Sequence, residues 1–469
     1  MWELISKCCR LLLATILMLL VSGLGWGGRA QAASVLSRDY LDAYFTSLTA
    51  AACLGEYTAD ESMEFNYLRI MGWDIVPMVS RQGKLETHFS VAKRHFKDIG
   101  KDIYLVCFRG STTKGDWKIN FKTKKVNYGG TTLQAMQELA AKPLVKDGPA
   151  VHGGFNKYAD NVLKESALNP ETGKLTGVFA KIKEDNNTTL LLTGHSMGGA
   201  VATLVATRLV DLGIPQNRVG VITFGAPAIG NAAYNENYAN KLEILRITNT
   251  NDPIPHSLQT FFSGYIQCGR KQEYRLTNRI GNVQHDMAMY FDSSIIELYK
   301  TKDKEIAAGR LEPLAKKRVI PGKPLVALWA ENSEGLQKMP LMPDLRRMLF
   351  DQYAKFIPSY VILEDKLRTG NGLQDQDLLA ASRKAGADYL IVCSIDSLRH
   401  KERDDAWYII QEQSLLRKDG ALLSMTNFAK KVTPSRGNVQ TAGENCLVAF
   451  AELQKYLPFI GELVEDTIQ

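Results

Sequence analysis

The hydrophobic residues of the first 300 positions occur in short apolar runs that alternate with helical patterns. Residues 103–108 and 188–193 are rich in leucine and β-branched residues, and residues 242–248 form a third strand-like run. Continuous apolar runs of this length are typical of strands that are buried on both faces. Residues 199–212 follow the second run as a small-residue helix that ends at Gly213. This alternation predicts an α/β fold with a mostly parallel central sheet.

A second series of strands and helices begins after residue 323. Its predicted strands are 325–329, 360–363 and 389–395, its hairpin joins 407–416 to 421–428, and its helices are 344–356, 375–385 and 444–457. Residues 301–323 are charged and then interrupted by proline and glycine, with no apolar stripe. We therefore predict a first domain at 33–300, a linker at 301–323 and a smaller α/β domain at 324–469.

The most informative motif lies between a predicted strand and a predicted helix. Gly194-His195-Ser196-Met197-Gly198 fits the pattern G-x-S-x-G. The pattern alone arises by chance in many chains, but a strand before it and a helix after it define a nucleophile elbow. The glycines are needed because a side chain beside this sharp turn would collide with the neighbouring strand or helix. We therefore predict that Ser196 is a catalytic nucleophile.

Two further residues are candidates for the rest of a catalytic triad. Hydrolases with this turn place the acid and then the histidine later in the chain. The only aspartates between Ser196 and His285 are Asp211 and Asp252. Asp211 lies more than three helical turns from the serine, and His256 shares the proline-restricted turn of Asp252. The order therefore predicts Asp252 as the acid and His285 as the base.

Acyl transfer also requires hydrogen-bond donors for the oxyanion that develops in the transition state. The backbone N–H of Met197, directly after the nucleophile, is one candidate. The second is Ser111, which follows the predicted strand 103–108 and Gly110. Ser111 offers its N–H and its hydroxyl, so we predict an oxyanion hole formed by Ser111 and Met197.

Taken together, these motifs resemble the class 3 (fungal-type) lipases of the α/β-hydrolase fold. The motifs that carry the resemblance are FRGS at 108–111, VHGGF at 151–155, GHSMGGA at 194–200, TFGAP at 223–227, NTNDPIPH from Asn249, and the histidine at 285. The resemblance implies hydrolysis of lipid acyl esters, of triacylglycerol or phospholipid. It assigns Ser111 to the oxyanion hole and Ser196, Asp252 and His285 to the triad. It also implies a lid at 112–121, whereas residues 129–148 look longer than is usual in the family and carry a helical pattern.

This chemistry needs neither a metal ion nor an organic cofactor. The acyl group is transferred to the serine hydroxyl and then to water, and the histidine moves the proton in both steps. The sequence contains no HExxH motif and no paired CxxC motif. We therefore expect no cofactor and no metal site.

The N-terminus has the pattern of a secretory signal peptide. Lys7 and Arg10 precede an apolar run at 11–20, and Ala30-Gln31-Ala32 fits the cleavage-site pattern. The run is short for a membrane span. We predict cleavage of residues 1–32 and export, to the periplasm of a bacterium or beyond it.

The charge of the chain narrows the range of partners, and its cysteine content bears on disulfide formation. The formal net charge of +7 is diffuse, with its densest cluster in KTKKV at 122–126. Such a charge favours at most transient contact with an anionic membrane surface, and no basic-aromatic platform suggests nucleic-acid binding. Five cysteines remain after the predicted cleavage. This number is small and odd, so it does not suggest a scaffold built on disulfides.

The C-terminal region resembles, in RKAGADYLIVCSID and in topology, small α/β domains of bacterial envelope proteins: the TolB N-terminal domain and the CsgG and LpoB families. The resemblance implies that this domain binds an envelope protein. Two alternatives to the lipase interpretation stay open at this point. One is an envelope-binding protein with a degenerate hydrolase domain, and the other is a serine peptidase or thioesterase on the same fold.

Overall fold

The structure is a computed structural model in two compact units, which are described separately. It describes residues 36–57, 63–83, 85–97, 100–111, 124–169, 174–261, 264–275, 285–332, 336, 345–364, 376–400, 406–433, 436–461 and 464. The first unit contains the described residues up to Arg275 and those at 285–290, and the second contains those from Phe291 onward. The predicted signal peptide and the predicted lid at 112–121 lie outside the described residues.

The first unit is built from helices and strands that alternate along the chain. Its helices are α1 (Arg38–Gly55), α2 (Met63–Ile70), α3 (Leu133–Ala141), α4 (Gly153–Val162), α5 (Gly177–Glu184), α6 (Met197–Asp211), α7 (Ala232–Tyr238) and α8 (Ile254–Phe261). Its strands are β1 (Asp74–Gln82), β2 (Leu85–Phe96), β3 (Lys101–Phe108), β4 (Lys125–Asn127), β5 (Ala150–His152), β6 (Thr188–His195), β7 (Val219–Phe224), β8 (Glu243–Asn249) and β9 (Arg270–Tyr274). Helix α9 (Met287–Ala307) starts directly after the loop that carries His285.

Seven of these strands form one mixed sheet in the order β1-β2-β3-β6-β7-β8-β9. The first three pair antiparallel, while β3, β6, β7, β8 and β9 run parallel to one another. The predicted α/β fold with a mostly parallel central sheet is thus confirmed. The carboxyl ends of parallel strands meet at one edge of a sheet, where α/β proteins place their functional loops. Here the register aligns the end of β3 with β6 and the end of β6 with β7, because Phe108 faces Gly194 and His195 faces Phe224.

Helix α6 packs closely on the centre of this sheet because its residues are small. All of its residues from Met197 to Leu209 are buried. A Cβ atom placed on Gly199 would lie 2.8 Å from the Cβ atom of Ala226, which is closer than real carbon contacts. The helix is therefore held directly against the backbone after β7, and its N-terminus stays fixed at the carboxyl edge of the sheet.

The second unit has its own sheet and core. Beyond α9, its helices are α10 (Leu345–Phe356), α11 (Gln376–Lys384) and α12 (Asn438–Gln454). Its strands β10 (Lys317–Arg318), β11 (Leu325–Asn332), β12 (Ser359–Ile362), β13 (Tyr389–His400), β14 (Ala406–Arg417) and β15 (Leu422–Lys431) form a six-stranded sheet in the order β10-β12-β11-β13-β14-β15. Strands β12, β11 and β13 are parallel. The predicted second α/β layer, with its hairpin of β14 and β15, is confirmed.

Helix α12 begins six residues before the predicted start at 444. The carboxylate of Asp292, which is buried on α9, accepts hydrogen bonds from the backbone N–H groups of Val439 (3.1 Å) and Gln440 (3.0 Å). These N–H groups belong to the first turn of the helix, and the N–H groups of a first turn have no acceptors within the helix itself. The early polar turn is therefore stabilised by a carboxylate that lies 147 and 148 residues away from these two groups in sequence, beyond the reach of a local pattern.

The charged segment interpreted as a linker, 301–323, is partly regular structure. Helix α9 continues to Ala307, and β10 pairs antiparallel with β12. Glu305 is buried and binds Arg310 through two hydrogen bonds of 2.8 Å, and Lys302 lies 2.8 Å from Asp351. The charges at the end of α9 are therefore paired side chains and not a solvated tether. No helix within the described ranges is long and apolar enough to cross a membrane.

Candidate active site

Ser196 occupies a strained turn between β6 and α6. Its backbone has φ of 56° and ψ of −126°, a region that residues other than glycine rarely adopt and that costs on the order of 1–3 kcal/mol. The conformation is maintained because the Ser196 N–H donates to the Phe224 carbonyl of β7 at 2.8 Å. The hydroxyl of Ser196 is thereby presented at the carboxyl edge of the sheet.

The two glycines that flank the turn leave no space for a side chain. A Cβ atom on Gly194 would lie 2.3 Å from the Gly198 carbonyl carbon, and one on Gly198 would lie 2.1 Å from the Phe108 carbonyl oxygen. Both contacts are with backbone atoms, which cannot move aside as a flexible side chain can. The steric reason for the G-x-S-x-G pattern is therefore direct backbone contact on both sides of Ser196.

The structure brings Ser196, Asp252 and His285 into hydrogen-bonding contact. The His285 Nε2 atom lies 2.9 Å from the Ser196 Oγ atom, and its Nδ1 atom lies 2.8 Å from the Asp252 Oδ2 atom. The Asp252 side chain is fully buried, whereas 16% of the His285 side chain is exposed. The loops after β6, after β8 and before α9 thus bring together a hydroxyl, a carboxylate and an imidazole, respectively.

The carboxylate of Asp252 has two further donors. Its Oδ1 atom accepts from the Ile254 N–H at 2.9 Å, and its Oδ2 atom accepts from the Tyr290 hydroxyl. The Asn249 N–H in turn donates to the Tyr290 oxygen at 3.1 Å. Burial, and then the charge of Asp252, raise the pKa of Tyr290 well above its ordinary value, so this phenol stays protonated and donates. Sequence analysis missed Tyr290, since its position on α9 matches no motif.

His195, the residue before Ser196, lies against His285. It is not one of the predicted site residues. The two imidazole rings have centroids 4.6 Å apart. The Nε2 atom of His195 lies 2.8 Å from the His285 carbonyl oxygen, and its Nδ1 atom lies 2.7 Å from the Tyr57 hydroxyl. Burial, followed by the proximity of His285, lowers the pKa of His195 well below its ordinary value, so this imidazole is neutral. The signal in the sequence was its place within the G-x-S-x-G motif.

The predicted oxyanion residues lie next to each other beside Ser196. Met197 is the first residue of α6, so its N–H is directed out of the helix N-terminus, where negative charge is stabilised. Ser111 follows β3, and its hydroxyl donates to the Met197 sulfur at 3.6 Å. The structure thus brings both predicted residues together at the nucleophile.

The candidates that sequence analysis rejected lie elsewhere. Asp211 ends α6 and accepts a hydrogen bond from the Tyr238 hydroxyl, and His256 is exposed on α8. All five cysteines of the described chain are thiols, and four of them are buried. Among the residues that the structure describes, no group of three or more histidine, cysteine or acidic side chains could hold a metal ion.

A nucleophile elbow in a mostly parallel sheet, with a histidine and an acid on later loops, defines an α/β-hydrolase. Residues 105–262 match the family model described as Lipase (class 3). The resemblance to the class 3 lipases that the motifs predicted is thus confirmed for these residues.

Curated relatives are matched over part of their length. The chain is 28% identical to phospholipase A1-II 1 of Oryza sativa subsp. indica over 38% of this chain and 45% of the relative. It is 30% identical to the chloroplastic galactolipase DONGLE of Arabidopsis thaliana over 34% of each chain. It is 35% identical to the secreted mono- and diacylglycerol lipase A of Penicillium camembertii over 21% of this chain and 30% of the relative. The chain thus spans less than half of the length of these relatives.

Among solved structures, the chain is similar to the triacylglyceride lipase of Rhizomucor miehei. The identity is 22% and the TM-score is 0.39, with 52% of this chain and 82% of the lipase covered.

The site predicts that Gly225, directly after β7, cannot carry a side chain. Its φ is 57°, and a Cβ atom would lie 2.8 Å from Asp252 Oδ2 and 2.9 Å from the Tyr290 hydroxyl. We expect Gly225→Ala to lower the free energy of unfolding by about 1–3 kcal/mol and to displace Asp252. Thermal unfolding measures the first effect, and a crystal structure of the variant measures the second.

The matched control is Gly220→Ala within β7, where the nearest atom to the new Cβ would be Leu191 Cδ1 at an ordinary 3.5 Å. Equal stability of the two variants would contradict the steric argument.

Proposed function

We propose that the protein is a serine hydrolase that cleaves acyl ester bonds of glycerolipids. The observation that carries this proposal is the continuous contact from the Ser196 hydroxyl through the His285 imidazole to the Asp252 carboxylate, at 2.9 and 2.8 Å. These distances are within the range over which a general base removes a proton from a nucleophile. The same three residues satisfy the order serine, acid, histidine that this fold uses.

The first half-reaction is acylation of the serine. His285 Nε2 takes the proton of the Ser196 hydroxyl as the oxygen attacks the ester carbonyl carbon. Asp252 holds the His285 ring in the tautomer that leaves Nε2 as the acceptor, and it stabilises the imidazolium that forms. His285 then gives the proton to the departing alcohol, and the acyl group stays on Ser196 as an ester.

The second half-reaction returns the enzyme to its starting state. Water attacks the acyl ester, His285 takes a proton from the water, and the Ser196 oxygen leaves with that proton. In both steps the carbonyl oxygen becomes an oxyanion, for which the proposed donors are the N–H of Met197, the first residue of α6, and the N–H and hydroxyl of Ser111. Each half-reaction balances without a metal ion or an organic cofactor.

The substrate class is supported by what the relatives are named for. They include a phospholipase A1, a galactolipase and a mono- and diacylglycerol lipase, and all three names denote enzymes that act on acylated glycerol. The acyl ester is the element that these substrates share, and it is the group on which the proposed triad would act.

Export and envelope binding complete the proposal. The pattern of Lys7, Arg10, an apolar run and Ala30-Gln31-Ala32 supports removal of residues 1–32 and secretion across a bacterial membrane. One relative is also named as secreted. The second unit, an independent α/β layer, supplies a surface for an envelope protein, which would place the hydrolase near its lipid.

The triad predicts that a fluorophosphonate probe labels the mature protein at Ser196. Ser196→Ala should abolish labelling, and His285→Ala and Asp252→Asn should lower kcat by about four to six orders of magnitude, because attack and proton transfer occur as one unit. Mass spectrometry locates the adduct, and ester hydrolysis gives kcat.

Ser257→Ala is the control, since this buried hydroxyl lies on α8 and donates to the Ile254 carbonyl at 2.8 Å without touching the triad. Absence of labelling in folded wild-type protein would favour the alternative, a binding protein on a degenerate hydrolase domain.

The oxyanion assignment predicts a loss of kcat when the Ser111 hydroxyl is removed. Ser111→Ala should lower kcat by about 10²- to 10³-fold with little change in KM, because the donor acts on charge that exists only in the transition state. Ser111→Thr keeps a hydroxyl and should retain most of the activity. Steady-state kinetics on a soluble ester measure both, and an unchanged kcat in Ser111→Ala would limit the role of this residue to its backbone N–H.

The substrate class predicts the outcome of a comparison of esters, thioesters and amides. Release of fatty acid from phospholipid vesicles and from diacylglycerol emulsions should be abolished by Ser196→Ala, and a series of p-nitrophenyl esters should define the preferred acyl length. Peptide and thioester substrates should be cleaved more slowly. Faster cleavage of a peptide or a thioester would assign the site to the peptidase or thioesterase alternative.

A further inference from the structure

The residues around the triad include a hydrogen-bonded chain that the proposed mechanism does not use. Tyr57, two residues after the end of α1, packs against Gly110 and lies 2.7 Å from His195 Nδ1. His195 Nε2 lies 2.8 Å from the His285 carbonyl oxygen. Four segments that are distant in sequence are thereby connected: the end of α1, the loop after β3, the end of β6 and the loop before α9.

One end of this chain is a backbone carbonyl, so the direction of both hydrogen bonds is fixed. The His285 carbonyl can only accept, so His195 carries its proton on Nε2. A neutral imidazole then has a lone pair on Nδ1, which accepts the proton of the Tyr57 hydroxyl. One arrangement of protons satisfies all of these groups.

The fit at the Tyr57 end is tight. A Cβ atom on Gly110 would lie 2.1 Å from the Tyr57 hydroxyl oxygen and 2.7 Å from the His195 carbonyl oxygen. The glycine is therefore required for the loop before Ser111 to reach the phenol. Since Gly110 is bonded covalently to Ser111, the position of the phenol fixes the position of the proposed oxyanion donor.

At the other end of the chain, His195 lies against the proposed base His285. The His195 and His285 rings have centroids 4.6 Å apart and an interplanar angle of 35°. In the proposed mechanism His285 becomes positively charged, and a second positive imidazole at this distance would oppose that change. A neutral His195, which is only 5% exposed, holds the His285 backbone without this repulsion.

We propose that Tyr57 and His195 are positioning residues that couple the loop of the oxyanion donor Ser111 to the loop of the base His285, through the packing of Tyr57 against Gly110 and the hydrogen bond of His195 to the His285 carbonyl. This inference rests on the proposed hydrolase function. It extends that function by making the oxyanion donor and the base depend on one shared contact, at the residue next to the nucleophile. Removal of one hydroxyl 2.7 Å from His195 should therefore disturb both.

The first test is Tyr57→Phe, which removes only the hydroxyl. It should lower kcat by about 10- to 100-fold and change KM by less than about threefold, because alignment for the transition state is lost and binding is not. The control is Tyr128→Phe, in which a buried hydroxyl that bonds the Leu204 carbonyl and Thr207 is lost at the far end of α6. It should change thermal stability but leave kcat within about twofold.

A pair of substitutions at His195 tests the connection to the base. His195→Gln can keep a donor near the His285 carbonyl, whereas His195→Ala cannot. We expect His195→Gln to retain about tenfold more kcat than His195→Ala at comparable thermal stability. Equal kcat values in these two variants, or a wild-type kcat in Tyr57→Phe, would overturn the proposal.

A spectroscopic test is independent of enzymatic activity. In protein labelled with ¹⁵N-histidine, NMR should show His195 as the neutral Nε2–H tautomer from about pH 5 to 8, and Tyr57→Phe should shift its Nδ1 resonance. The titratable groups that face this ring are Tyr57, His285 and Tyr290. If the wild type shows the Nδ1–H tautomer or gains a proton in this range, the inference is wrong. If the tautomer is as expected but the wild type hydrolyses no ester, the proposed function fails and the hydrogen-bonded chain stands as a structural feature alone.

Discussion

The strained backbone of Ser196 is the constraint on which the rest of the first unit depends. A positive φ at a residue with a Cβ atom persists only where the surroundings allow no other path. Here β6 is fixed by parallel partners on both sides, and α6 is packed against the sheet through Gly199. The turn between them is closed by backbone contacts at Gly194 and Gly198. The strain is thus offset by two rigid elements, and it directs the hydroxyl towards the sheet edge at which the other loops end.

The elements that repeat a local pattern were predictable from the sequence, and so were the three side chains that lie in hydrogen-bonding contact at the candidate site. Buried strands such as β6 and the small-residue helix α6 have periods and compositions that local sequence encodes. The order serine, acid, histidine selected Asp252 and His285 among few candidates. The features that could be predicted were therefore either elements with a periodic sequence pattern or residues that follow one another in a characteristic order.

The groups that could not be predicted are those whose role is set by a distant partner. Tyr290 matters because a tertiary contact places its hydroxyl on Asp252, and no pattern in the sequence predicts this contact. Tyr57 is 138 residues from His195, and the tyrosine lies in no motif. The early start of α12 likewise depends on Asp292 of α9. Hydrogen bonds between side chains of distant elements leave no periodic trace, so they become visible only when the backbone is folded.

His195 and His285 show how the surroundings give one residue type two roles. The rings lie 4.6 Å apart, yet only His285 has a carboxylate partner, the fully buried Asp252. A buried carboxylate is costly unless it is hydrogen bonded and near a compensating charge. Asp252 has three hydrogen-bond partners, His285, Tyr290 and the Ile254 N–H, and in the proposed mechanism the proton that His285 takes from Ser196 supplies the charge. His195 has a phenol and a carbonyl oxygen as its partners, neither of which favours a second proton. In the proposed mechanism, the charge of a single neighbouring group therefore distinguishes the histidine that takes the proton of Ser196 from the histidine that is held neutral.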